Sequence, residues 1–190
     1  MSKGDGPAPA AVGVLLAAGA GSRYGMPKVL AEQGNWLANA VRVLAGGGCG
    51  EAIVVLGAAD VAVPAPARAV IARDWADGLS ASVRTGLTAA RAGGADYAVL
   101  HLVDIPDVGA DVVARVLAAA IGTPSGIARA SFAGRPGHPV VIARRYWPAL
   151  TATLRGDRGA GEFLRARDDV TVVECADLAS GADVDEPGAT

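Results

Sequence analysis

Runs of apolar residues alternate along the chain with polar, glycine-rich breaks, and the spacing inside each run predicts its element. Val12 to Ala18 carries no polar residue, as expected of a strand covered on both faces. Ala52 to Leu56 repeats that pattern. Trp36 to Ala45 differs: apolar residues fall at Trp36, Leu37, Ala40, Val41 and Leu44, a helical period closed by Gly46-Gly47-Gly48. Residues 57–67 hold Gly, Asp and two prolines and read as a loop. Arg68 to Ala72 then reads as a short strand, Ser80 to Ala92 as a helix of small residues, Tyr97 to Val103 as a strand and Asp111 to Ile121 as a helix. Gly126 to Phe132 and His138 to Ala143 read as strands joined by a Gly134-Arg135-Pro136-Gly137 turn, Arg158 to Arg167 as a helix and Val170 to Glu174 as the last strand. The alternation predicts an α/β fold, a three-layer α/β/α sandwich about a mainly parallel, Rossmann-like sheet. The consecutive strands after residue 126 break the alternation and predict one antiparallel strand.

Length and composition narrow this further. A chain of 190 residues suits one domain, expected over residues 11–190, behind a disordered Gly/Pro/Ala leader over residues 1–10. Aromatic residues make up 4% of the chain against 52% hydrophobic residues, so the core must be built from Ala, Val and Leu. A net charge of −2 argues against a nucleic-acid-binding surface. Cys49 and Cys175 lack metal-ligand spacing and read as buried thiols in a reducing compartment. The run from Val12 to Ala18 is too short to cross a membrane, and Asp5 with two prolines ahead of it makes a poor signal peptide. A cytoplasmic protein with no membrane partner is expected.

Candidate chemistry begins where the first strand ends. Leu16-Ala17-Ala18 opens into a loop in which Gly19 and Gly21 leave room for backbone N–H groups to face a ligand, and Arg23 and Lys28 add positive charge. Donors, space and charge together suit a polyphosphate. The dinucleotide fingerprint fails because Gly25 comes one place too late, and the P-loop fails because Lys28 precedes Val29. In a sheet of this kind, ligands sit outside the carboxyl ends of the strands. Asp104 follows the fourth strand there, either as a loop carboxylate or helix cap, or as a Mg²⁺ ligand. Ser80 and Ser82 open a helix whose free N–H groups attract anions, a role compatible with simple capping. Asp183 and Asp185 read from composition alone as an acidic tail.

Leu16 through Lys28 match L-A-A-G-x-G-x-R-x-G-x-x-K residue by residue, and this loop resembles the signature of the MobA-like NTP transferase family. Three further stretches resemble motifs of the family, the first of them characteristic of the branch that acts on the molybdenum cofactor. They are Trp75-Ala76-Asp77-Gly78-Leu79-Ser80-Ala81-Ser82-Val83-Arg84, Gly134-Arg135-Pro136-Gly137-His138-Pro139 and Asp183-Val184-Asp185-Glu186-Pro187. Arg155-Gly156-Asp157-Arg158-Gly159-Ala160 echoes a fourth. The resemblance implies the nucleotide-diphospho-sugar transferase type of fold. It places Leu16, Ala17, Ala18, Gly19, Gly21, Ser22, Arg23, Lys28, Ser80 and Ser82 at the nucleotide, Asp104 and Asp185 at a divalent metal with Asp183 in reserve, and His138 and Asp157 on the acceptor side. Arg23, Lys28 and Asp104 would carry the catalysis. The chain departs from the family at Val103, Ile105 and Asn35.

The activity so implied is Mg²⁺-dependent nucleotidyl transfer, with Mn²⁺ able to substitute, from an NTP to a molybdopterin-type acceptor, with release of pyrophosphate. A molybdoenzyme or its chaperone is the implied partner protein. Ala18, where guanylyl relatives tend to have glycine, favours CTP over GTP without removing GTP. A carrier or chaperone for the cofactor without turnover, a sugar-phosphate or methylerythritol-phosphate nucleotidyltransferase and a nicotinamide oxidoreductase stand as alternatives; Gly25 counts against the last.

Overall fold

The computed structural model describes residues 9–185. Its strands are β1 (Ala11–Leu16), β2 (Glu51–Leu56), β3 (Arg68–Ile71), β4 (Tyr97–Leu102), β5 (Ile127–Phe132), β6 (Arg135–Ala143) and β7 (Thr171–Glu174). Its helices are α1 (Asn35–Gly46), α2 (Leu79–Ala92), α3 (Ala110–Gly122), α4 (Trp147–Thr153) and α5 (Gly161–Arg165). The strands form one seven-stranded sheet in the order β3-β2-β1-β4-β6-β5-β7. β1 pairs parallel with β2 and β4, while β6 runs antiparallel to both β4 and β5. The expected single antiparallel strand is therefore β6.

Every residue of β1 is buried, which is why its sequence shows no alternation. Ala11 and Leu15 face the layer of α1 and α3, with Leu44 and Val116. Val12, Val14 and Leu16 face α2, α4 and α5, with Leu87, Leu150 and Phe163. α2 lies close to the sheet because Gly86 has no side chain: a Cβ there would overlap Val14 Cγ1. Ala10 extends β1 backwards, donating to Asp96 Oδ2 at 2.9 Å and accepting from Asp96 N at 2.7 Å. Residues 1–8 of the expected leader lie outside the described residues, as do Glu186 and Pro187. Among the described residues no helix is long and apolar enough to cross a membrane. Cys49 and Cys175 are both free and buried.

Two local expectations are corrected, and one helix is added. The turn between β5 and β6 is not Gly134 to Gly137 but Ala133-Gly134. Both take positive φ, 52° and 78°, as a two-residue hairpin loop requires. The Glu174 carboxylate accepts from both of their N–H groups, at 2.9 and 3.3 Å, and β6 consequently starts at Arg135. The helix expected over Arg158 to Arg167 shrinks to α5, because Arg155 and Arg158 first pair across a tight turn. α4 had no sequence signal. Pro148 stands in its first turn, where a missing N–H breaks no helical bond, and Trp147 Nε1 donates to Ile142 O at 2.9 Å.

His101 on β4 is 1% exposed, and its Nδ1 has no hydrogen-bond partner among the described residues. Burial, with nearby His138 adding to it, pushes its pKa down to about 3. The unfolded chain takes up this proton near 6.5, so stability is lost as pH falls from that value toward about 3. A His101→Leu variant will show a flatter dependence of urea midpoint on pH between about 7 and about 4. Gly86→Val will overpack the contact of α2 with β1 and cost about 2–3 kcal/mol in the same unfolding assay at neutral pH.

Candidate functional site

The loop after β1 leaves the sheet late. Ala17 N still donates to Val55 O at 3.1 Å, and Ala18 O accepts from Ala58 N at 2.9 Å. The chain then turns at Gly21, whose φ is 63°, and Gly25 N closes the turn onto Gly21 O at 2.8 Å. A Cβ on Gly21 would overlap the Met26 carbonyl, so this glycine serves the loop's own turn. Gly19 has nothing within 4 Å of its would-be Cβ and faces open space.

Lys28 follows Pro27 and points back under the loop, with its side chain 14% exposed. Its Nζ donates to Asp104 Oδ2 at 2.8 Å and to Asp185 Oδ1 at 3.0 Å. Arg23 Nη1 reaches Asp185 Oδ2 at 3.3 Å from an exposed position. Asp104 arrives from the end of β4, next to β1 in the sheet. Asp185 arrives along a strap of chain after β7. Ser180 N, Ser180 Oγ and Gly181 N all donate to Asp107 Oδ2, at 2.7, 2.7 and 3.2 Å, and Val184 N donates to Asp104 O at 2.9 Å. Burial works to lower the Lys28 pKa, but the hydrogen bonds and charges of the two carboxylates outweigh it and raise the value. The Lys28 hydrogen bond and charge, joined by Arg23, hold Asp185 below the usual carboxylate range.

These groups stand at one end of a cleft of about 500 Å³. Of the expected residues, Leu16, Ala17, Ala18, Gly19, Gly21, Ser22, Arg23, Lys28, Ser82, Asp104, Asp157 and Asp185 line it. Ser80 does not: it is buried behind the wall, and its N–H ties the Gly156 carbonyl to the start of α2 at 3.0 Å. That bond sets Asp157 at the rim beside Gly78, and no side chain caps α5. His138 lies outside the cleft lining, half-buried on β6. Burial and the Arg129 charge push its pKa down to about 4, against the pull of Asp183. Asp183 thus acts on His138, while Asp185 converges with Asp104 on Lys28. Trp75 and Leu79 also line the cleft and were not singled out as binding residues. Gly57 makes room for Trp75, since a Cβ there would come within 2.6 Å of the Trp75 Cβ. The W-x-x-G pattern held that signal.

Among the described residues no three His, Cys, Asp or Glu side chains converge on a point. Two carboxylates do converge, on the Lys28 ammonium. Two hard oxygen donors already gathered around a cation, at the wall of an open cleft, fit Mg²⁺ or Mn²⁺, which complete their shells with phosphate oxygens and water.

The sheet order, with the ligand cleft at the carboxyl ends of β1 and β4, defines the α/β/α class of nucleotidyltransferase folds. The chain belongs to the family of the MobA-like NTP transferase domain, whose family model matches residues 13–170. It is 37% identical over 198 residues to nicotine blue oxidoreductase of Paenarthrobacter nicotinovorans, covering 96% of this chain and 95% of that protein. Among solved structures it is similar to the Rv0371c homologue of Mycobacterium sp. strain JC1, with 28% identity, a TM-score of 0.75 and 93% and 90% of the two chains covered. Rv0371c of Mycobacterium tuberculosis H37Rv, solved in complex with manganese, shares the fold at 23% identity and a TM-score of 0.68, over 92% of this chain and 94% of that one.

Asp107 anchors the strap that delivers Asp185. An Asp107→Ala variant will exchange the amides of Ser180 to Asp185 faster in hydrogen-exchange mass spectrometry, with exchange in β1 and β4 unchanged.

Proposed function

We propose that the protein is a divalent-cation-dependent nucleotidyltransferase. It moves a nucleoside monophosphate from an NTP, CTP before GTP, to a phosphorylated acceptor of the molybdopterin type. The observation that carries this reading is the meeting of Lys28, Asp104 and Asp185 within hydrogen-bond distance beside the glycine loop. A polyphosphate explains the cations and the open amides of the loop. A divalent ion explains why two carboxylates stand next to an anion site.

A phosphate oxygen of the acceptor attacks the α-phosphorus in line. The new P–O bond forms as the bond to the β-phosphate's bridging oxygen breaks, and pyrophosphate leaves with the electron pair. The attacking oxygen is already anionic, so no side chain need remove a proton. The work left to the protein is positioning and charge neutralisation. Amides of Gly19 to Ser22, with Arg23 and Lys28, hold the triphosphate and stabilise the departing pyrophosphate. Trp75, Leu79 and Ser82, which line the cleft, are assigned to base and ribose, and Asp157, also in the lining, to the acceptor side. His138, beyond that lining, is placed on the acceptor side by its G-H-P context alone. Asp104 and Asp185 would hold the divalent ion, Mg²⁺ or the Mn²⁺ seen with Rv0371c, which when bound polarises phosphoryl oxygens as a Lewis acid.

Nicotine blue oxidoreductase supplies a second reading, an oxidoreductase acting on a substrate such as nicotine blue, because that relative spans nearly the whole chain. Against it stands the loop itself, in which Gly25 comes one place too late for the dinucleotide fingerprint.

One assay separates the two. Pyrophosphate release will be measured from CTP, GTP, ATP and UTP, each with molybdopterin, a sugar phosphate and methylerythritol phosphate; NADH and NADPH oxidation will be followed in parallel with nicotine blue. Transfer predicts pyrophosphate release with molybdopterin and no nicotinamide oxidation. Arg23→Ala and Asp104→Ala will each lower the transfer rate about 10²–10³-fold while the melting temperature holds. Nicotinamide oxidation without pyrophosphate release from any pair would replace this reading with the second.

A further inference from the structure

We propose that Lys28 makes the divalent cation and the triphosphate bind as a single ligand: its ammonium sits between Asp104 and Asp185, and it yields that place to a cation only when a phosphate chain draws it away. The inference rests on the proposed function and extends it.

The ammonium is a hydrogen-bond donor to both acids at once, at 2.8 and 3.0 Å, and is 14% exposed. Lys28 lies 76 residues from Asp104 and 157 from Asp185 in sequence, so the contact is a property of the fold and not of one flexible loop. Arg23 adds a weaker second clamp on Asp185, since its 82% exposure leaves it screened by solvent. Two acids and two bases together carry no net charge. A divalent cation arriving alone therefore gains little attraction and meets Lys28 at contact distance. A triphosphate arriving alone can recruit Lys28, but it then faces two acids stripped of their counter-charge. Only the pair resolves both conflicts: the lysine goes to phosphate and the cation goes to the carboxylates. Lysine suits this exchange because its point charge sits on a flexible four-carbon stem, whereas the planar fork of arginine does not pivot as freely. By linkage, whatever the nucleotide does to cation affinity the cation does to nucleotide affinity.

The signature is a variant that moves two affinities in opposite directions. Free Mn²⁺ will be followed by electron paramagnetic resonance in titrations of wild type, Lys28→Met and Lys28→Arg without nucleotide. Binding of preformed Mn²⁺ complexes of CTP and GTP will be followed by calorimetry. Lys28→Met will bind Mn²⁺ alone about tenfold more tightly than wild type or better, and will bind the Mn²⁺-nucleotide complex about tenfold more weakly or worse. Lys28→Arg, which keeps the charge, will bind Mn²⁺ alone as wild type does. Should Lys28→Met melt early, Lys28→Gln is read by the same criteria. Loss of both affinities together, or Mn²⁺ affinity unchanged in the neutral variants, overturns the proposal and leaves the transferase reading standing. If wild type binds neither Mn²⁺-nucleotide complex, the transferase reading itself falls and the coupling with it.

Discussion

The ion pairs of Lys28 with Asp104 and Asp185 join three parts of the chain that share no local sequence. Each partner reaches that point for a topological reason. β1 and β4 are adjacent and parallel, so the loop after one and the acid after the other leave the sheet at the same carboxyl end. Asp185 has no such neighbour and depends on a strap pinned by Asp107 and by Val184 N on Asp104 O. Two acids this close to each other are unfavourable without a positive charge between them. The constellation therefore states a requirement for a cation, and in the structure Lys28 meets it.

Small residues set the dimensions of the cleft around this charge cluster. Gly86 lets α2 approach β1, which brings the amino-terminal turn of α2 and Ser82 to the cleft wall. Gly57 lets Trp75 lie against Ala18. A core rich in Ala and Val, with few aromatic residues, keeps the layers close; Trp75 lines the cleft, while Phe132, Trp147 and Phe163 are buried in the core. The composition that called for a core of Ala, Val and Leu is the same property that shapes the site.

The sheet and the loop after β1 were legible because their determinants are local. An uninterrupted apolar run reads as a buried strand, and Gly21, Arg23 and Lys28 fall within one short stretch. What could not be read depends on contacts distant in sequence or on backbone states without a sequence signature. Ala133 adopts positive φ as a non-glycine residue, held by Glu174 from β7, so the Gly-Arg-Pro-Gly stretch was mistaken for the turn. Pro136 is instead accommodated in β6 beside a register shift between Arg129 and Ser131. α4 was hidden by Pro148, which reads as a breaker unless its place in the first turn is known. Asp185 was read ahead of Asp183 from the family resemblance; the strap that carries it, held by the hydrogen bonds on Asp107 and by Val184 N on Asp104 O, was not legible. His138 was legible as a residue set apart by its Gly and Pro neighbours, yet not its seat beside His101 and Arg129.

Family membership fixes the fold and leaves the chemistry to the site, because one fold supports several reactions. A relative named as an oxidoreductase and a family named for NTP transfer meet in this chain. Both chemistries use a grip on phosphates, and Gly25, one place too late for the dinucleotide fingerprint, already counts against the second. The acids weigh further. Hydride transfer from a dinucleotide places no demand for a divalent ion, and two carboxylates beside its pyrophosphate would only repel it. Nucleotidyl transfer turns the same two groups to use, since they can seat the ion that offsets the charge of a triphosphate. On electrostatic grounds Asp104 and Asp185 weigh for transfer, and Lys28 is the residue through which that weight is felt.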